Sequence, residues 1–139
     1  KKIILFKKFI IYFINTKLIF KMEENYINFK TRICSHLNYL VSINRVKTYG
    51  EVVEHCEIPS PRKIRKLNTY LIDITEEDIK NEKPLRAALV VSKIANLDYP
   101  RLPNEDFFSL LKKHKIYDGK NEVSSYLKFH KELLKSLLI

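Results

Sequence analysis

The chain has 139 residues, with 26 Lys and Arg against 16 Asp and Glu, a formal net charge of +10. That length fits one domain. Cys34 and Cys56 form no C-x-x-C, which removes a disulfide scaffold and a thiolate zinc site and leaves free thiols, with the cytoplasm as the expected location.

Residues 1–21, KKIILFKKFIIYFINTKLIFK, carry six lysines and no acid. Every one except Thr16 has a codon writable in A and T alone, the pattern of AT-rich upstream DNA read in frame. The expected division is therefore a mis-assigned start or cationic leader over 1–21 and a single domain over 22–139. The longest uncharged run, residues 9–16, is far short of the ~20 apolar residues of a membrane span, and no secretory cleavage pattern follows. If the segment is genuine, it reads as a cationic helix on an anionic membrane or as a helix of the fold; otherwise no membrane partner is expected. Without its lysines the net charge falls to +4, so global charge argues only weakly for a polyanion.

From Met22 onward, Tyr26, Phe29, Ile33, Leu37, Leu40 and Val41 recur at three- and four-residue steps, predicting a core-facing helix over 23–43. Thr48 then opens T-Y-G-E, a capping-box spacing, so a short helix over about 49–56 should pack through Val52 and Val53. Ile58-Pro59 is expected to be extended. Ser60 is the expected cap of the next helix, with Pro61 in its first turn and Ile64, Leu67, Leu71 and Ile74 inward. That helix opens with Arg62, Lys63, Arg65 and Lys66. Cations at a helix start oppose the macrodipole, whereas phosphate is welcome there. Two helices joined by a tight turn, the second basic at its N-terminal end, form the helix-turn-helix pattern that enters a major groove.

The stretch TYGEVVEHCEIPSPRKIRKL resembles the winged-helix domain of the DNA alkyltransferases and the alkyltransferase-like proteins. The likeness covers residues 45–93. It implies a DNA-binding helix over 61–74 with Arg62 at the position of the arginine finger, whose flat guanidinium can replace a flipped base in the stack. R-K-I-R stands where the family has R-A-V-G. P-L-R-A-A-L-V-V, residues 84–91, stands where the family has P-C-H-R-V, so no acceptor thiol is present and self-alkylation is excluded.

Next, TEEDIKNE, residues 75–82, reads as a solvated acidic loop or single turn. AALVV, residues 87–91, reads as a buried strand paired with Val46–Lys47 or Ala95–Tyr99 and forming the wing. Asn104 should cap a helix with Glu105 and Asp106 in its first turn and Lys112, Lys113 and Lys115 in its last. Gly119 marks a turn. Residues 123–138 carry a stripe of Val123, Tyr126, Leu127, His130, Leu134 and Leu137, widened by Leu133 and Leu138, that serves the core or a partner protein. His114 and His130 read as core-edge histidines. His55 and Cys56, adjacent on one helix, point apart and make a poor catalytic pair. Asp98, Asp118 and Glu122 have no spacing that recommends a nuclease, and no phosphate loop, zinc-protease or nucleophile-elbow motif occurs.

The expectation is thus a mainly α chain with a small β element, a winged-helix-like helix-turn-helix domain with additional C-terminal helices. It would bind duplex DNA without catalysis, cofactor or metal, through Tyr49, Arg62, Lys63, Arg65 and Lys66, with Arg45 and Lys47 on the backbone. The alternatives are a helix-turn-helix transcriptional regulator and an adaptor or immunity-type protein using its C-terminal helices.

Overall fold

Five α-helices and one pair of two-residue strands make up the described part of the chain, residues 2–93 and 101–138 of a computed structural model. The first helix, α1 (Lys2–Ser42), runs without a break through Met22 and is 41 residues long. Its expected stripe is real: Ile33, Leu37 and Leu40 are fully buried, while Tyr26, Phe29 and Val41 sit half-buried at the edge of the core. N-terminal to Tyr26 the same helix is exposed from Ile3 to Asn25 except for half-buried Thr16, whose hydroxyl bonds back to the Tyr12 carbonyl.

Strand β1 (Lys47–Thr48) leads directly into α2 (Tyr49–His55). The capping box forms as its spacing requires: Thr48 Oγ1 accepts from the Glu51 N–H at 3.2 Å, and the Thr48 N–H donates to Glu51 Oε1 at 3.2 Å. Val52 and Val53 bury the other face.

The third helix, α3 (Lys63–Lys80), differs from the expectation at both ends. Its cap is Arg62, in a left-handed conformation with φ 56° and no side-chain capping bond. Ser60 therefore does not cap it, and Pro61, joined to Ser60 by a cis peptide bond, lies outside it. At the far end the acidic run is helical to Lys80, because Thr75 and Asp78 continue the inward row of Leu67, Leu71 and Ile74. Asp78 is 1% exposed, which a solvated linker would not produce. Its carboxylate accepts from Arg86 Nη2 at 2.9 Å, Arg86 Nε at 3.1 Å and the Arg86 N–H at 3.2 Å. A charge can be buried there only because the guanidinium neutralises it and satisfies its oxygens.

Arg86 begins a 3₁₀ turn (Arg86–Leu89) that delivers β2 (Val90–Val91) to β1. The two strands are parallel, with Lys47 opposite Val90 and Thr48 opposite Val91, one residue on from the expected partner. Being parallel, they do not form a hairpin; the other suggested partner, Ala95–Tyr99, lies outside the described residues.

Asn104 caps α4 (Glu105–Lys113), its side chain accepting from the Phe107 N–H at 3.1 Å. Phe107, Phe108, Leu110 and Leu111 are buried beneath it. Lys115 falls beyond the helix end. The last helix, α5 (Val123–Leu137), buries Tyr126, His130 and Leu137, and the Tyr126 ring stacks on Phe108 with centroids 4.0 Å apart. Leu127, Leu133, Leu134 and Leu138 pack against the same core, whereas Val123 at the helix start is 45% exposed.

Helices α1 to α4 all end in the same way, and none uses glycine. Asn44, Glu57, Glu82 and Lys115 take φ of 59°, 54°, 53° and 57°. In each case the next N–H reaches five residues back to a helix carbonyl: Arg45 to Leu40, Ile58 to Val53, Lys83 to Asp78 and Ile116 to Leu111. These are Schellman endings occupied by residues that bear the Cβ cost of left-handed geometry. Gly119 is needed for a different reason. A Cβ there would lie 2.6 Å from the Tyr117 hydroxyl oxygen, because that ring packs flat over the turn.

Candidate nucleic-acid interface

The basic turn is held from three sides. Arg32 Nη1 donates to the Cys56 carbonyl at 2.8 Å, fixing the end of α2 to α1. Ile58 is 3% exposed and anchors the connection in the core. Lys66 Nζ donates to the Pro59 carbonyl at 3.0 Å and ties α3 back to the loop. Lys66 is thus partly committed to shaping the turn.

Arg62, Ile64 and Arg65 are exposed, and Lys63 is half-buried. The first turn of α3 contains no acid, and among the described residues no carboxylate pairs with Arg62, Lys63 or Arg65. No side chain caps the helix, so its first N–H groups lack the intrahelical and side-chain partners that most helix starts recruit. Ile64 was expected inward; it keeps the phase of Leu67 and Leu71, but at the first turn nothing covers it and it stands 52% exposed among the cations.

The other candidate contacts divide differently. Tyr49 is 8% exposed, and its hydroxyl accepts the Asn104 N–H at 2.9 Å, which places its side chain in the core. Burial pushes that phenol up to about 12. Arg45 is exposed. Lys47 lies 3.3 Å from Glu51, whose carboxyl is held below its ordinary value chiefly by the Thr48 N–H, with the Thr48 hydroxyl and Lys47 adding to it.

Sequence spacing alone misses one feature. His36 on α1 and His55 at the end of α2 stack with ring centroids 3.8 Å apart and planes 18° from parallel. His36 Nδ1 is buried without a hydrogen-bond partner, and the imidazole is held below its ordinary value by burial, with His55 and Lys47 adding to the effect. His36 does fall beside Ile33, Leu37 and Leu40 on the inward stripe, a hint of burial, but its partner comes from another element. Cys56, next to His55, is fully buried with its thiol pushed up to about 11, which makes it inert as a nucleophile. His130 is buried with Nε2 2.8 Å from the Ala88 carbonyl, as a core histidine should be. His114 instead lies exposed at the end of α4.

Among the described residues the acids are engaged singly. The Tyr26 hydroxyl donates to Asp73, and Lys30 pairs with Glu77. Among the described residues no group of three or more His, Cys, Asp and Glu could hold a metal ion. Asp118 and Glu122 are exposed, and Asp98 lies outside the described residues.

No family model, curated protein or solved structure matches the chain. No helix among the described residues is long and apolar enough to cross a membrane.

Proposed function

We propose that this chain is a non-catalytic DNA-binding protein of winged-helix-like type, similar to the alkyltransferase-like proteins, which grips duplex DNA with the first turn of α3. The observation that supports it is the uncapped, acid-free start of α3, where exposed Arg62 and Arg65 and half-buried Lys63 surround free backbone N–H groups. A phosphate would satisfy those N–H groups and the guanidinium forks together. Exposed Ile64 adds an apolar side chain of the kind that meets a thymine methyl in the major groove. The contact set is then Arg62, Lys63 and Arg65, with Arg45 on the flanking backbone. Lys66 supports the turn, Lys47 pairs with Glu51 at the start of α2, and Tyr49 supports the core behind it.

Fluorescence anisotropy with a plain duplex tests this directly. The three contacts from the first turn of α3 contribute roughly −2.7 to the slope of log K against log salt. Lys63→Glu with Arg65→Glu should remove most of that slope while the melting temperature stays within a few degrees. Unchanged affinity in the double variant makes the basic turn ordinary surface. A duplex carrying an alkylguanine then separates damage sensing from general binding: a stacking Arg62 makes Arg62→Ala much costlier for the modified duplex. Equal losses on both duplexes leave Arg62 as a phosphate contact.

A further inference from the structure

We propose that the N-terminal half of α1 is a surface anchor that lies on anionic phospholipid. The proposal stands on observations separate from the basic turn of α3. Phe6, Phe9, Phe13 and Phe20 are 64%, 65%, 51% and 66% exposed, and the aliphatic residues between them are open as well. Among the described residues nothing covers this surface, although one face of the same helix is buried from Ile33 onward. A contiguous apolar surface of this extent marks a docking region.

Its charge names the occupant. Residues 1–21 contain six lysines and no acid, a single-sign field that complements phospholipid phosphates and serine headgroups. At 100° per residue Phe6, Phe9, Phe13 and Phe20 fall within about 60° of one another, one aromatic stripe along the helix. A second copy of the chain could pair along that stripe only by bringing lysines together with no acid in residues 1–21 to offset them. A nucleic acid would neutralise the lysines and leave the phenylalanine rings in water. At a bilayer surface the rings enter the headgroup–acyl boundary while the lysine stems extend their ammonium groups to the phosphates. The uncharged run of residues 9–16 covers about 12 Å of helix, far less than the ~30 Å hydrocarbon core, so the helix lies on the leaflet. Because α1 passes unbroken into its docked portion, the anchor joins the body by rigid helix.

The test is co-sedimentation of the full chain with phosphatidylcholine vesicles containing about one-third phosphatidylserine, beside pure phosphatidylcholine vesicles. The expected result is at least tenfold preference for the anionic vesicles. A lysine near an anionic surface is worth about fivefold in binding, so Lys7→Glu with Lys8→Glu and Lys17→Glu should weaken binding at least ~50-fold. Phe9→Asp with Phe13→Asp should abolish it. Both variants should keep the melting transition of the body, since these side chains touch none of it. Lys63→Glu with Arg65→Glu should bind vesicles as the parent does. The proposal is overturned by equal binding to both vesicle types, by no binding to either, by sedimentation as a lipid-free dimer that ignores vesicles, or by loss of vesicle binding in the Lys63→Glu, Arg65→Glu variant.

Discussion

Replacing Arg86 with Met keeps most of the side chain's apolar length and deletes its charge. Asp78, 1% exposed on α3, would then retain only the residue 86 backbone N–H of its three Arg86 donors. Asn38 Oδ1 would also lose the Arg86 Nη1 donor at 3.3 Å. An ion buried this deeply without its partner costs about 3–5 kcal/mol, a large part of the stability of a domain of this size. Urea unfolding at pH 7 reads the loss as a shift in midpoint at unchanged slope. Asp78→Leu combined with Arg86→Met should recover much of the loss, because two apolar side chains replace the pair. A loss below about 1 kcal/mol in the single variant would be that of a solvent-exposed pair and would refute the reasoning.

The buried histidines set a pH dependence: His36 and His130 are both held below their ordinary value, chiefly by burial, so the unfolded chain takes up protons first. Stability should be level above pH 7 and fall as pH drops through 6.5, by up to about 1.4 kcal/mol per pH unit for each group, and urea midpoints between pH 7.5 and 5.5 will show whether it does. Gly119→Ala forces the Tyr117 ring aside and should cost about 1–3 kcal/mol by the same assay. Glu82→Gly and Lys115→Gly should go the other way, each adding about 0.5–1 kcal/mol by relieving left-handed strain at an exposed position; a loss in either would mean that the side chain makes a stabilising contact.

Local rules made much of this fold legible. Thr48 and Glu51 specify the start of α2 within four residues, and Asn104 with Glu105 and Asp106 specifies α4, because capping is short-range chemistry. The inward stripe of α1 follows from the helical period alone. What escaped depends on partners distant in sequence. TEEDIKNE looks solvated until Arg86 arrives to neutralise Asp78. Ser60 looks like a cap until the chain turns left-handed at Arg62. Tyr49 looks like a surface aromatic until Asn104 meets its hydroxyl from 55 residues away. The candidate site was legible as a run of cations, but which of them stand clear depends on partners the run does not show: Lys66 is tied to the Pro59 carbonyl and Lys47 to Glu51.

The division of α1 into a docked portion and an uncovered portion also governs how the helix opens and closes. Residues 26–42 are held in helical geometry by the core, so the turns before them begin from an existing nucleus and need only propagate. Residues 3–25 should therefore be more helical in the intact chain than as a free peptide. Their amide hydrogens are nevertheless guarded only by the helix's own bonds, which relax on a scale of ~0.1–1 μs. Exchange with deuterium should be fast near Ile3, slow progressively toward Tyr26, and reach the protection of global unfolding only near Ile33, Leu37 and Leu40, where opening the helix means opening the core.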